Sequence, residues 1–360
     1  MVRDDPTSRK RPSRGENGEG GNWVLVSDGA NADTRDCVVT IRALASAGYK
    51  PAVTVRRPGG LLSRYVARRI LIDGGDTARS IVNEMEDGGY CAFIPAGEDV
   101  VLCMEPQVPM LLDKVSTSRR AREVGLPVPD EIVFEGPSDL RAAAATLRYP
   151  VVIKPAIRTF KAFRADDASH LDAMPEDAGG LIVQPHLSGQ MSAVAGIMWE
   201  SRVHSSVAER WERIWPLDCG LATWAVTVPR TEYVEDALSA LMSGYTGLFV
   251  AQFIDGHLID LNLRAHSSLP LAVRAGANLA AIYADLARGL GPASKHAVPG
   301  HTFRWVSGDV KGVTSSVRNR VMSIPQALRA MSPVSGTAHS MFSWKDPYPV
   351  LARVAARFRR

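Results

Sequence analysis

Three polar side chains alternate along one apolar stretch near residue 260. The segment LIDLNLR, residues 258–264, places Asp260, Asn262 and Arg264 two residues apart. Side chains of a β-strand point to opposite faces with a period of two, so these three share one face, while the apolar residues between them, Ile259 included, are expected in the core. A carboxylate, an amide and a guanidinium on one face can hold a metal ion and a phosphate.

The run LFVAQFI precedes this strand, and the two runs are predicted to form a β-hairpin with Asp255 and Gly256 in the turn. Cross-strand neighbours share a face, so a loop with an odd number of residues puts Gln252 on the face of Asp260. A two-residue loop puts it on the opposite face. With the odd loop, Gln252, Asp260 and Asn262 present oxygen ligands together, which suits magnesium with retained waters. The alternative is a polar row that faces solvent.

Two earlier segments also carry isolated polar groups. Lys154 is the only charged residue of the apolar strand VVIKPA, where burial is costly unless an anion meets it; an edge-strand lysine that reaches solvent is the alternative. GLIVQPHLSG, residues 180–189, is a second apolar strand that runs into a proline-interrupted connection. Before both, Asp113 is predicted to cap a helix that Gly125 and Pro127 terminate, and a new domain begins there.

The N-terminal part alternates strands and helices. WVLVSD, an amphipathic helix that ends near Gly48, and KPAVTVR form a predicted βαβ unit, and residues 91–97 and 100–104 are predicted as further strands of a parallel sheet. The loop SDGANADTRD lacks the G-x-G-x-x-G spacing of dinucleotide-binding folds, so a scaffold or substrate-binding role is favoured. Residues 1–21 contain almost nothing that can be buried and are predicted to be a disordered tail.

Composition limits the class of protein. At 360 residues the chain is longer than one average core supports, which predicts two or three packed subdomains. The net charge of +4 is too small to indicate a nucleic-acid binder, and no apolar run approaches the ~20 residues that span a bilayer. The four cysteines make no C-x-x-C pair, so neither a zinc site nor a disulfide framework is indicated. We therefore expect a cytoplasmic protein.

The order of these features resembles the ATP-grasp superfamily, and within it the carboxylate-amine ligases and the carbamoyl-phosphate-synthetase-like proteins. The ordered set is Asp113-Lys114, VVIKP, VQPHLSG, then QF followed by DLNLRAHSSLPLAVRAG, within residues 23–290. The resemblance implies an α/β protein with a pre-ATP-grasp βαβ domain followed by a two-lobed ATP-grasp fold. The implied divisions are a tail at 1–21, the pre-ATP-grasp domain at 22–112, a small lobe at 113–183, a large lobe at 184–310 and a C-terminal extension at 311–360.

The resemblance also implies roles for single residues around the phosphates. Lys114 and Lys154 match the two lysines that contact the nucleotide, and Arg264 matches the arginine that steadies the transferred phosphoryl group; Lys154 and Arg264 are the residues assigned to catalysis. The metal ligands of the family correspond to Gln252, Asp260 and Asn262. The family usually has glutamate in place of Asp260 and often in place of Gln252.

Nucleotide recognition is implied for a second group of residues. The hinge whose backbone meets the adenine corresponds to Gln184, Pro185, His186 and Leu187. Gln190 stands where relatives often have a ribose-binding glutamate. The stretch AIRTFKAFRADD has no glycine, whereas the family usually covers the phosphates with a Gly-rich loop. Side-chain charge is expected to replace that loop, from Arg158, Lys161 or Arg164.

The function implied by the resemblance is that of an ATP-dependent carboxylate-amine ligase that forms an amide or peptide-like bond through an acyl phosphate. ATP and Mg²⁺ are the expected cofactors, and a small-molecule carboxylate and amine the expected partners, with no nucleic acid, no membrane and a homodimer left open. A catalytically degenerate protein that binds a nucleotide or a partner is the alternative, because two acidic positions are weakened. Carboxyphosphate chemistry from bicarbonate is a third reading.

Overall fold

The computed structural model describes residues 21–29, 34–57, 60–72, 76–101 and 108–358, and these residues form three β-sheets. The disordered tail predicted for residues 1–21 lies outside the described residues apart from Gly21. Within the described part of the chain, no helix is long and apolar enough to cross a membrane.

The first sheet belongs to the N-terminal domain and has the order β3-β2-β1-β4, with every pair parallel. Its elements are β1 (Trp23–Ser27), α1 (Arg35–Ser46), β2 (Lys50–Val55), β3 (Arg68–Leu71), α2 (Thr77–Asp87), β4 (Ala92–Pro95) and α3 (Glu98–Val101). The Thr34 side chain caps α1 by accepting from the Cys37 N–H, and Gly48 follows the helix with a φ of +86° that glycine adopts without strain. The predicted βαβ unit is confirmed.

The strand predicted for residues 100–104 is wrong in the part that the structure describes. Val100 and Val101 end the short helix α3, and residues 102–104 lie outside the described residues. Glu98 and Asp99 form the first turn of α3, where the helix dipole favours negative charge. A short apolar run does not distinguish a buried strand from one buried helical turn, and here the single turn already buries both valines.

The second sheet forms the small lobe, with the order β5-β8-β6-β7 and antiparallel pairing. Its elements, with the two helices that precede it, are α4 (Val108–Leu112), α5 (Lys114–Glu123), β5 (Ile132–Phe134), α6 (Pro137–Ala142), β6 (Val151–Pro155), β7 (Phe163–Ala165) and β8 (Leu181–Pro185), with 3₁₀ turns at Ala144–Thr146 and Ala168–Ala173. Asp113 caps α5 as predicted, accepting from the N–H groups of Val115 and Ser116. The domain boundary expected after residue 183 falls inside β8, which ends at Pro185.

The third sheet forms the large lobe, with the order β13-β12-β9-β10-β11-β14-β15. Its elements and the last helix are β9 (Met191–Trp199), β10 (Arg202–Trp215), β11 (Leu221–Val228), α7 (Glu232–Leu241), β12 (Gly247–Ile254), β13 (His257–Asn262), α8 (Leu269–Arg274), α9 (Leu279–Ala287), β14 (Thr302–Arg304), α10 (Val306–Arg318), α11 (Ile324–Met331), β15 (Ala338–His339) and α12 (Tyr348–Phe358). Helix α1 packs on α8 and α9, so one apolar core joins this lobe to the N-terminal domain.

A buried ion pair attaches the C-terminal segment to the N-terminal domain. Asp346 is completely buried and accepts hydrogen bonds from Arg42 Nε (2.9 Å), Ser63 Oγ (2.8 Å) and the Arg64 N–H (3.0 Å). Arg42 also donates to the Met341 carbonyl at 2.8 Å. Three donors from two parts of the N-terminal domain thus compensate for the burial of one carboxylate.

We expect Asp346→Ala to lower the free energy of unfolding by about 3–5 kcal/mol, because it leaves the Arg42 guanidinium in a buried site without its carboxylate. Urea denaturation measures this change. Glu176→Ala is the matched control, since it removes the partner of Arg141 from an ion pair whose carboxylate is 79% exposed and should have a much smaller effect. Equal losses in the two variants would contradict burial as the cause.

Candidate active site

The hairpin that carries the alternating polar residues has a two-residue turn. Asp255 and Gly256 have φ values of +44° and +80°, as a type I′ turn requires. A regular ladder from this turn would pair Gln252 with Ile259 and place it on the face opposite Asp260. A β-bulge at Ile259 supplies the extra residue, so that Gln252 lies directly opposite Asp260. The bulge therefore has the effect on register that was expected of an odd-numbered loop.

The bulge also changes which side chains of β13 are buried. Leu258 and Leu261 lie in the core, whereas Ile259 is only half-buried and lines a cavity, so the prediction that Ile259 enters the core is wrong. An unpaired residue of a bulge leaves the ladder. Here the Ile259 carbonyl accepts a hydrogen bond from Lys154 Nζ at 2.8 Å, which connects the hairpin to the small lobe.

A cavity of about 440 Å³ lies between the small lobe and the large lobe, with the polar face of the hairpin on one side. Ten of the residues predicted for the site line it: Lys114, Lys154, Gln184, Pro185, His186, Leu187, Gln252, Asp260, Asn262 and Arg264. They come from α5, β6, the end of β8, the connection after it and the hairpin. Tertiary folding thus brings together residues that are up to 150 positions apart in sequence, since 264 minus 114 is 150.

Among the eleven residues predicted to bind the nucleotide, the metal or the transferred phosphoryl group, only Gln190 does not line the cavity. Its amide donates to the carbonyl oxygens of Met191 (3.0 Å) and Trp211 (2.9 Å), so the side chain turns toward the large-lobe sheet. Of the three cations expected to replace a Gly-rich loop, Arg158 and Lys161 line the cavity. Arg164 instead pairs with a neighbouring aspartate on the surface.

Lys154 is a buried lysine with two acceptors. Its Nζ donates to Gln184 Oε1 and to the Ile259 carbonyl, each at 2.8 Å, and the Gln184 amide in turn donates to Glu131 Oε2 at 3.2 Å. Burial lowers the pKa of Lys154 to about 8, against the opposing effect of the Asp260 carboxylate. Both hydrogen-bond acceptors of the ammonium are neutral, so neither compensates for its positive charge. An anion in the cavity would do so.

Asp260 has a partner on each of its oxygens. Lys114 Nζ contacts Oδ1 at 2.6 Å, and the Asn262 amide donates to Oδ2 at 2.7 Å. Burial opposes ionisation of this carboxyl, but the ammonium of Lys114 outweighs it and holds the pKa of Asp260 well below its usual range. Burial likewise opposes the charge on Lys114, and Asp260 overcomes it and raises the pKa of Lys114. The two groups are charged together across the neutral pH range.

The hairpin offers oxygen atoms of the kind that magnesium binds. Gln252 and Asn262 each offer an amide oxygen, and Asp260 is the only carboxylate of the three. Among the described residues no group of three or more His, Cys, Asp or Glu side chains could hold a metal ion. Magnesium is usually held by one or two carboxylates together with phosphate oxygens and waters. The set fits one such ion when a nucleotide supplies phosphate ligands, and Lys114 would then share or yield its contact with Asp260.

Arg264 lies where the hairpin meets the N-terminal domain. Its NH1 pairs with Asp36 Oδ2 at 2.8 Å, and its Nε is 3.6 Å from Glu98 Oε1. Glu98 also accepts from Arg158 NH1 at 2.7 Å, so one carboxylate lies between two arginines. Burial raises the pKa of Asp36, and Arg264 opposes that rise. Sequence reasoning missed Asp36 and Glu98, because each lies near a helix start where an acidic residue has an ordinary structural explanation.

A buried polar chain fixes the backbone just after Arg264. His266 Nδ1 is 2.8 Å from Ser268 Oγ, and that hydroxyl donates to Glu209 Oε1 at 2.8 Å. Burial raises the pKa of Glu209 to about 7 and lowers the pKa of His266 to about 3, so the histidine is neutral. The Ala265 N–H donates to the Pro95 carbonyl at 2.9 Å. Arg264 is thereby held between β4 and the large-lobe sheet.

The hinge predicted to meet the adenine has few free backbone donors. Pro185 has no N–H, and the His186 N–H donates to the Pro150 carbonyl at 3.0 Å. In the described part of the chain the Leu187 N–H has no hydrogen-bond partner, so this donor is available to a ligand. All four hinge residues line the cavity.

No protein-family model matches the chain, and no curated protein matches it. Solved structures do share its fold. N5-carboxyaminoimidazole ribonucleotide synthetase in complex with ADP has a TM-score of 0.61 at 15% identity, over 83% of this chain and 85% of that chain. The chain has the ATP-grasp fold. L-amino acid ligase from Bacillus licheniformis has a TM-score of 0.55 at 15% identity, over 76% of this chain and 75% of that one.

A third structure gives the same result. Phosphoribosylamine–glycine ligase from Thermotoga maritima has a TM-score of 0.55 at 17% identity, with 78% of each chain covered. The expected architecture is confirmed, since each of these similarities spans about three quarters or more of both chains. In ATP-grasp terms the second and third sheets are the two lobes, and the cavity described above lies between them.

Lys154 should make protein stability rise with pH between about 8 and 10.5. Below pH 8 the ammonium is protonated in the folded and unfolded chains, so the full cost of burying it is present. Between the folded pKa of about 8 and the ordinary value of 10.5, only the unfolded chain keeps the proton, and that cost declines. We expect the stability of the wild type relative to Lys154→Met to rise by about 3 kcal/mol from pH 7 to pH 10.

Urea denaturation at several pH values measures this difference. Lys311→Met, at an exposed lysine of α10, is the matched control for the loss of one ammonium group. A difference between Lys154→Met and wild type that does not change with pH would contradict a lowered pKa for Lys154.

Proposed function

We propose that the protein is an ATP-dependent ligase that joins a carboxylate to an amine through an acyl phosphate. The observation that carries this proposal is that one cavity is lined by Lys114, Lys154 and Arg264 together with the donor set of the hairpin. The fold supports it, because the solved structures that share the fold include an L-amino acid ligase and an ADP-bound synthetase. A small-molecule carboxylate and amine are the proposed substrates, and ATP and Mg²⁺ the proposed cofactors.

The nucleotide is proposed to lie along the small lobe. The adenine would accept from the Leu187 N–H at the hinge, and the phosphates would extend toward Lys154, Lys114 and Arg158. An anion beside Lys154 would restore full charge to an ammonium whose pKa of about 8 lies close to neutral pH. Asp260 already positions Lys114 beside the cavity, with 2.6 Å between Lys114 Nζ and Asp260 Oδ1.

The reaction requires the protein mainly to position the reactants and to neutralise negative charge. An oxygen of the substrate carboxylate attacks the γ-phosphorus and ADP leaves; the amine nitrogen then attacks the acyl carbon, phosphate leaves, and the amine gives up a proton. Bound magnesium would neutralise charge on the phosphate oxygens. Lys154 and Arg264 would stabilise negative charge on the transferred group, since cations fixed in a site that excludes water act strongly there. No nucleophilic side chain is required.

One observation favours the alternative of a catalytically degenerate protein. Asp260 is the only carboxylate of the hairpin face, and Lys114 and Asn262 engage both of its oxygens. Such a protein would bind a nucleotide or a partner without turnover. Strict dependence of ADP release on bicarbonate would instead indicate carboxyphosphate chemistry.

We also propose a cytoplasmic location. The cysteines that the structure describes, Cys37, Cys91 and Cys219, are all free, and free thiols persist in reducing compartments.

We expect Asp260→Asn to abolish the magnesium dependence of nucleotide binding and to lower ADP release by about 10²–10³-fold, because the variant keeps the shape of the side chain and loses its charge. The measurements are thermal unfolding with ATP in the presence and absence of Mg²⁺, and ADP release with panels of carboxylates and amines. Wild-type protein should show a magnesium-dependent upward shift, since ligand binding to the native state raises apparent stability.

Asp139→Asn, at an exposed aspartate of α6, is the control for the same change of charge away from the cavity. Full activity in Asp260→Asn would contradict the site. No thermal shift of the wild type at millimolar Mg-ATP would favour a degenerate protein that binds a partner, and a shift without ADP release would favour one that binds a nucleotide.

A further inference from the structure

A further arginine lines the cavity from the N-terminal domain. Arg35 is the first residue of α1, and its guanidinium carbon lies 3.6 Å from the centroid of the Trp305 ring, just before α10. Both residues line the cavity. Attraction between a guanidinium and the face of an indole fixes the plane of the guanidinium, so its N–H groups point in defined directions.

The Arg35 side chain is half-buried, and its NH1 group has no hydrogen-bond partner in the part of the chain that the structure describes. The NH1 atom itself is inaccessible to solvent. The adjacent Asp36 is already paired with Arg264 at 2.8 Å. Burial lowers the pKa of Arg35 to about 10, so the group remains charged at neutral pH. A half-buried cation without a paired carboxylate costs stability, and an anion that entered the cavity would offset its charge.

We propose that Arg35 binds an oxyanion, a carboxylate or a phosphate monoester, of the substrate other than the nucleotide. This inference rests on the proposed function and names the class of that substrate. The cations proposed for the nucleotide, Lys114, Lys154 and Arg158, belong to the small lobe. Arg35 instead lies on the N-terminal domain near Arg264. A substrate held there would lie on the side of the cavity where the phosphoryl group is proposed to be transferred.

The geometry suits this class of ligand better than a neutral one. A guanidinium presents paired N–H groups that match the two oxygens of a carboxylate or phosphate. Stacking on Trp305 covers a face of the guanidinium, so the edge formed by Nε and NH2, away from the enclosed NH1, can meet both oxygens. A lysine in the same place would keep the charge and lose both the stacking and the paired donors. Four variants therefore separate these properties. Arg35→Gln removes the charge, Arg35→Lys keeps the charge without the paired donors, and Trp305→Leu removes the stacking that Trp305→Phe retains.

The test uses full-length protein with magnesium and a non-hydrolysable ATP analogue, and measures thermal unfolding against four probes: succinate, L-glutamate, ribose 5-phosphate and inorganic phosphate. We expect at least one probe to stabilise the wild type. Arg35→Gln should raise the apparent Kd for that probe by about 10- to 100-fold and leave the response to the nucleotide analogue intact. Selectivity for succinate and glutamate identifies a carboxylate, and selectivity for the phosphates identifies a phosphate monoester.

The other variants act as controls. Trp305→Phe should retain the probe response and Trp305→Leu should lose most of it, because only an aromatic ring supports the guanidinium. Arg158→Gln should show the reverse of Arg35→Gln, with a weakened nucleotide response and an intact probe response. Arg35→Lys should lose most of the response because it lacks the paired donors.

Three results would overturn the inference: no probe stabilises the wild type, Arg35→Gln responds to every probe as the wild type does, or Arg35→Gln loses the nucleotide response. Failure of the proposed function gives a different result. In that case the wild type shows no response to the nucleotide analogue, and titration of the same probes without nucleotide still decides whether Arg35 binds an oxyanion.

Discussion

One half-buried carboxylate connects the parts of this molecule. Asp260 lies in the large-lobe hairpin and accepts a hydrogen bond from Lys114 at the start of α5. Its negative charge also opposes the lowering of the pKa of Lys154 in the small lobe. Three elements that are far apart in sequence therefore meet around a single negative charge. Burial makes that charge costly alone, and two lysines make it stable, so the lobes are held in the arrangement that also creates the cavity.

The β-bulge at Ile259 gives this interaction its geometry. Without the extra residue, the two-residue turn would place Gln252 and Asp260 on opposite faces. With it, the polar side chains of the hairpin face the cavity, and the carbonyl freed from the ladder accepts from Lys154. A local irregularity of one strand thus positions donors from two lobes, which agrees with the general occurrence of bulges next to active sites.

The charge around the cavity is arranged in two groups. Lys114 begins α5, Lys154 lies in β6, and Arg158 lies in the connection after β6, on the side of the cavity where a triphosphate is proposed to lie. Arg264 and Arg35 lie toward the N-terminal domain, one paired with Asp36 and the other stacked on Trp305. A site with one carboxylate on the hairpin face and several positioned cations could neutralise phosphate charge with side chains more than with metal ions. Under the proposed function, this arrangement would compensate for the single carboxylate and for the absence of a Gly-rich loop after Lys154.

Most of the elements, and ten of the residues that line the cavity, could be predicted from the sequence alone. Period-two alternation located the face of Asp260 and Asn262, the cap at Asp113 located the helix that carries Lys114, and the order of motifs indicated the ATP-grasp fold. Local patterns could not distinguish a strand from one helical turn at Val100, and they could not place Gln190 or the bulge. Glu98 and Arg35, which line the cavity, and Asp36, which pairs with Arg264, were missed, and only the tertiary structure brought them there. The physical reason is that an acidic side chain near a helix start has a sufficient local explanation, and a single arginine there has no sequence signal of its own. The role of either side chain in the site depends on what the rest of the chain packs against it.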